Sequence, residues 1–278
     1  MDFPLVAMLI ATGLFILAAG FGQALGSAIM LPSAAAKMWA RNAVILGVVL
    51  LTYKLLIARL GASARDDLGR RRAAPDLGMG ILIGFALMAA SVGVAAIADV
   101  YNLMGQGDTS QLVHELITAA IMPAFMEEIL FRGILFRWIE EFAGSWAALV
   151  ITSALFGLAH ILNPNATWFS SFAIAIEAGL LLGGAYMLTR SLWLPIGLHA
   201  AWNFTQGEVF GVPVSGDAVH GLLRSRLSGP PIVSGGGFGL EASIIALVIA
   251  TAAGICFVWL AVRRGEVVRP SWVHSPRD

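Results

Sequence analysis

Charge is what this sequence has least of. Only 12% of its 278 residues are Asp, Glu, Lys or Arg, against about a quarter in a typical soluble domain. That shortage leaves too little polar surface for a protein dissolved in water. Lys and Arg together number 17 and so do Asp and Glu, so no basic excess points to a nucleic-acid partner, and none is expected. The single cysteine, Cys256, lies in an apolar run and excludes an internal disulfide. No basic stretch precedes the first apolar run, which continues to about Leu31; it reads as a span that stays, not as a cleaved signal. No internal repeat is visible, which gives little support to an inverted-repeat transporter.

Apolar residues are abundant: they make up 58% of the chain, and the mean hydropathy is +0.83. Runs near or above the roughly 20 residues that cross a bilayer predict helices at about 5–31, 42–60, 77–98, 114–138, 145–162, 169–189, 192–208 and 239–262. The expected fold is an all-α, polytopic bundle of about eight transmembrane helices enclosing a polar cavity. Turn chemistry separates the runs, as in Leu31-Pro32-Ser33, Met104-Gly105-Gln106-Gly107-Asp108 and Asn163-Pro164-Asn165. The chain divides into helices 1–3 without a signature (1–110), a core of helices 4–7 (111–210), a Gly/Pro-rich loop or partly re-entrant segment (211–238), a last helix (239–262) and a basic tail (263–278).

With eight spans, Arg59, Arg65, Arg70, Arg71, Arg72, Arg137, Arg190, Arg263, Arg264, Arg269 and Arg277 share one side. Lys37, Arg41, Arg224 and Arg226 stand on the other, beside Asp99, Asp108, Asp217 and Glu208. The positive-inside rule then places both termini in the cytoplasm. The expected location is a bacterial inner (cell) membrane.

Ionisable side chains inside spans carry the functional signal, because each costs roughly 2.5–3.5 kcal/mol at a helix centre on insertion scales. The fourth run contains Glu127, Glu128 and Arg132, the fifth His160, the sixth Glu177 and the seventh His199 and Asn203. Glu128 and Arg132, at i,i+4 with the acid first, are spaced as an ion pair, which leaves Glu127, about 100° around the helix, free for chemistry. Pro123 removes a hydrogen bond to the carbonyl of Ala119 and predicts a kink. His199 and Asn203, also i,i+4, can donate toward one point. A carboxylate and a histidine can activate water, and two donors can stabilise an oxyanion. Each residue also has a plainer reading: a packing ion pair, a satisfied core histidine, interhelical glue. Glu177 lines the pocket, pairs with a neighbour or is a protonated spectator, and it is left outside the site.

Other motifs fail. His114-Glu115 begins an HExxH but Thr118 stands at the second ligand position. Gly105-Gln106-Gly107-Asp108 matches GxGD but sits in a turn-rich loop. The pairs Gly22/Gly26, Gly80/Gly84 and Gly179/Gly183 are expected to pack helices within the chain.

The set EExxxR (Glu127, Glu128, Arg132), FxxxH (Phe156, His160) and HxxxN (His199, Asn203), in that order over roughly 110–210, resembles the CPBP family of CAAX proteases and bacteriocin-processing proteins. The text from Thr189 to His199 also looks typical of bacterial members. The resemblance implies a membrane-embedded peptidase in which Glu127 and His160 activate water. His199 and Asn203 would hold the oxyanion, and Glu128 and Arg132 would support the geometry. It implies a peptide or protein substrate, lipid-modified in some members, and no cofactor. Zinc is the alternative, since the family was long labelled metalloprotease. Two other readings stand beside it: a non-catalytic binding or immunity protein, and a proton relay. The resemblance also implies a cytosolic cavity, whereas the charge pattern puts His160 toward the opposite side.

Overall fold

The computed structural model describes residues 3–61 and 64–273; Arg277 lies outside them. Helix α1 (Pro4–Ser27) turns at Pro32 into α2 (Ala34–Leu55), followed by α3 (Ala73–Ile97). The fourth span, α4 (residues 112–143), alternates between two helical forms: α over Leu112–Glu115, π over Leu116–Ile121, α over Met122–Glu128, π over Ile129–Phe136. Arg137–Ala159 is broken at Gly144, whose φ of 82° and ψ of 167° end α4 and start α5 (residues 145–159). Then come α6 (Trp168–Thr189), α7 (Trp193–Phe204, continued as a π turn over Thr205–Val209) and α8 (Ile244–Arg263). Among the described residues, six helical stretches are long and apolar enough to cross a membrane. The longest, Leu112–Leu162, is two spans joined at Gly144, and α7 is a shorter one, which gives about eight.

The bundle is built for lipid. Leu17, Leu82, Val150, Phe172 and Val248 point outward, whereas Glu128, Arg132, Glu177, His199 and Asn203 are buried. Polar side chains inside and apolar ones outside are what a hydrocarbon solvent selects.

Three sequence expectations are refined by the structure. Helix α2 begins at Ala34, not near 42, because the Ser33 hydroxyl caps it by accepting from the Ala36 N–H at 3.1 Å. The polar Lys37 and Arg41 that had suggested a loop ride on its first turns. The last helix begins at Ile244, not 239, with Ser243 as its cap. The segment 211–238, expected as a Gly/Pro-rich loop or partly re-entrant segment, carries a strand and the short helix Pro231–Ser234 within its loops. Strand β1 (Tyr101–Gln106) pairs antiparallel with β2 (Leu223–Leu227), in register Tyr101↔Leu227, with an irregularity between Leu103 and Gly105. Gly105 and Gln106 of the GxGD match therefore belong to a strand.

Glycines set the helix spacing within this one chain. A Cβ on Gly22 or Gly26 would meet the Cα of Ile45 or Arg41 at 2.8 Å, so α1 and α2 touch backbone to backbone. On α3, Gly80 and Gly84 face the Leu194 and Leu198 carbonyls of α7, and Gly197 of α7 faces the Leu77 carbonyl, all at 2.3–2.4 Å from an added Cβ. Helix α7 carries His199 and Asn203, so α3 holds the site from behind. Replacing Gly84 by Ala is expected to push α7 outward and cost about 1–3 kcal/mol of overpacking. Thermal unfolding in detergent reads that loss; an unchanged midpoint would mean α7 is free to shift.

Candidate active site

Glu128 is the anchor. It is fully buried on α4, and its Oε1 accepts from Arg132 Nη1 at 3.0 Å and from His199 Nδ1 of α7 at 3.0 Å. The i,i+4 pair expected from sequence is present, but Glu128 does more than neutralise Arg132: it also aims an imidazole from another helix. Arg132 gives a second bond to the Ala178 carbonyl of α6 at 3.1 Å, and its guanidinium lies 4.7 Å from the ring centre of Phe156.

Phe156 links the three motifs. Its ring packs at 4.9 Å from Phe131, 4.7 Å from His160 and 6.3 Å from His199. Its carbonyl accepts from His160 Nδ1 at 2.7 Å, which directs the lone pair of the neutral imidazole to Nε2. An aromatic four residues before a histidine thus serves both as wall and as tautomer setting. Sequence reading had placed Phe156 in a motif but not in the site.

Asn203 donates through Nδ2 to the carbonyl of Ala119 at 3.0 Å. That is the carbonyl Pro123 cannot serve, so the proline, the π turn over Leu116–Ile121 and the asparagine form one device. The proline frees an acceptor inside the bundle, where an unmet polar group is costly, and Asn203 meets it. Such π turns are frequent at functional sites. One hydrogen of Asn203 Nδ2 and Nδ1 of His199 are committed to the scaffold. His199 Nε2 and the second Asn203 amide hydrogen remain for a ligand.

Glu127, His160, His199 and Asn203 line one cavity of about 360 Å³, together with Glu115, Pro123, Asn163 and residues 214–219. The buried Oε2 of Glu127 has no hydrogen-bond partner among the described residues. At 1.5 Å per residue, 145–159 rise about 22 Å, less than a hydrocarbon core of about 30 Å. Helix α5 therefore ends short of the surface, and His160 reaches the same chamber as Glu127. Glu128 and Arg132 stand behind the cavity wall.

A smaller cavity of about 40 Å³ lies behind the histidines, sharing His160, His199, Asn203 and Ser215 with the first and adding Glu177 and Glu241. Glu177 is thus beside the site, not among lipids. Glu241 accepts from the Ser215 N–H and, at 3.1 Å, from its hydroxyl, fixing a residue with φ of 50° in the wall of the large cavity. Nothing in the local sequence signals this contact between distant segments. No three His, Cys, Asp or Glu side chains among the described residues stand together as a metal-ligand set.

Residues 109–205, which hold every residue of the three motifs, match the family described as type II CAAX prenyl endopeptidase Rce1-like. A candidate membrane peptidase, YdiL, of Bacillus subtilis (strain 168) is 24% identical over 176 residues, covering 59% of this chain and 68% of that protein. No solved structure gives a significant match. The ordered motifs converge on one buried chamber in a multi-pass membrane bundle, and the core that carries them is similar to the Rce1-like CAAX peptidases.

Proposed function

We propose that the large cavity hydrolyses a peptide bond in a membrane-associated or hydrophobic peptide, using water activated by Glu127 and His160. The observation that carries this reading is the meeting of four polar side chains from α4, α5 and α7 in one chamber of an otherwise apolar bundle. Water sits between the free Glu127 oxygen and His160 Nε2. Glu127 takes a proton as the water oxygen attacks the carbonyl carbon. The developing oxyanion accepts from His199 Nε2–H of the protonated ring and from the second Asn203 amide hydrogen. Glu127 then hands the proton to the leaving nitrogen, and the C–N bond breaks. Glu128 holds the His199 ring in place, and its charge balances Arg132.

No metal takes part in this scheme. No group of three His, Cys, Asp or Glu side chains among the described residues stands close enough to hold zinc, which needs three or four convergent ligands. Turnover by the purified protein is expected to survive EDTA and 1,10-phenanthroline unchanged; reversible loss restored by zinc would refute the metal-free scheme.

The reading is tested by cleavage of a hydrophobic peptide by purified protein in detergent, comparing wild type with Glu127→Ala and His160→Ala. Equal turnover in all three would leave a binding or immunity role for the same cavity.

A further inference from the structure

We propose that the active-site cavity opens on the non-cytoplasmic face and receives uncharged or cationic peptide segments there, an inference that rests on the peptidase reading for its substrate and on the fold for its side.

The two ends of the bundle are chemically different. At one end, Arg137 donates to the carbonyls of Arg65 and Leu60 at 3.0 and 3.3 Å. Trp193 donates to Gly69 at 3.1 Å, Ser145 N–H to Val268 at 3.0 Å, and Arg190 to Glu140 and Glu266. These contacts gather the segments bearing Arg59, Arg65, Arg70, Arg71, Arg72, Arg137, Arg190, Arg263, Arg264 and Arg269 into one face. At the other end, His220 N–H donates to Glu115, Asn165 donates to the Gly216 carbonyl at 3.2 Å, and Gly216 N–H donates to Phe238 at 2.8 Å. There the basic residues are Lys37, Arg41, Arg224 and Arg226. Helix α6 joins the ends over Trp168–Thr189, a rise of about 33 Å, which is a bilayer's hydrocarbon thickness. Lys and Arg in short loops orient a membrane protein with the richer side in the cytoplasm.

The cavity belongs wholly to the poorer end. Its wall comprises the start of α4 (His114, Glu115, Thr118), Asn163 beyond α5, and residues 214–219, which lie between α7 and β2. No wall residue comes from the arginine-rich segments, so the chamber opens away from the cytoplasm.

The wall chemistry narrows the substrate. Glu115, Glu127 and Asp217 line the cavity and no Lys or Arg does. A free C-terminal carboxylate or an acidic flank meets no Lys or Arg in the wall, whereas a lysine flank is matched by Asp217. Substrates are therefore internal bonds of translocated peptide segments, not the carboxyl tails of cytosolic proteins.

Sidedness is tested without reference to catalysis. In a Cys256→Ser background, Leu103→Cys on β1 and Ala64→Cys at the arginine-rich end leave the charge pattern intact; both positions are exposed. A membrane-impermeant maleimide on intact bacterial cells with the outer barrier opened is expected to label Leu103→Cys at once and Ala64→Cys only after the inner membrane is permeabilised. The reverse pattern overturns the proposal even if the protein cleaves peptides in detergent. Absence of cleavage in detergent overturns the peptidase reading while leaving the sidedness standing. For substrate class, peptides differing only in Lys or Asp flanks are compared: kcat/KM is expected to favour Lys at least tenfold, and Asp217→Asn to reduce that preference severalfold. Equal use of both flanks, or a preference for Asp, overturns the substrate assignment.

Discussion

Glu127→Gln is expected to abolish cleavage while leaving the protein folded. The amide keeps the shape of the side chain and can still hold a water, but it cannot take a proton from one. General-base assistance is worth about 10²–10⁴ in rate, so kcat should fall by that factor with KM nearly unchanged. The stability effect should run the other way. The buried Oε2 of Glu127 has no partner among the described residues, and a carboxylate so placed is costly in a bundle interior. A neutral amide relieves part of that cost, and the unfolding midpoint in detergent should stay level or rise. Loss of rate without loss of stability is the signature of a group kept for chemistry. A Glu127→Gln enzyme within threefold of wild type would remove Glu127 as the base.

Glu128→Leu should behave in the opposite manner, losing stability first and activity with it. The carboxylate is fully buried and receives both Arg132 and His199 on one oxygen. Removing it leaves a buried guanidinium without its counter-charge, an effect of about 3–5 kcal/mol in known cases. Arg132→Met alone should cost a similar amount, because it strands Glu128. The double change Glu128→Leu with Arg132→Met removes both charges and should recover most of the midpoint, since buried pairs are often replaceable by apolar side chains of similar volume. Turnover should not recover with it: His199 Nδ1 has lost its acceptor, and Nε2 is no longer aimed at the cavity. A double variant that is stable and active would show that His199 needs no orienting carboxylate. A double variant as unstable as the singles would show that the pair is not what holds α4. The coupling energy from this four-member cycle separates the two roles of Glu128.

Membrane residence and an approximate helix count were readable from one dimension, for a specific reason. In hydrocarbon the cost of each polar group is high and local, so a carboxylate within an apolar run is informative before any fold is known. The break between the runs 114–138 and 145–162 and the turn at Asn163-Pro164-Asn165 were legible as well, since each acts on neighbours along the chain. The start of α2 was misplaced because Lys37 and Arg41 resembled a loop, while a one-residue cap at Ser33 decided the boundary.

What required three dimensions was every pairing between helices. Position along a helix says which face a side chain occupies but not what stands opposite. The bond from His199 to Glu128 spans 71 positions, and that from Asn203 to Ala119 spans 84. The ribbon of β1 with β2, the hold of Glu241 on Ser215, and the place of Glu177 beside the histidines likewise depend on which helices meet. Composition and the expense of burying charge in lipid dictated a membrane bundle and marked the polar side chains buried within it. Only packing, set by glycine contacts and long-range polar bonds, decided that those groups share a chamber and at which end it opens.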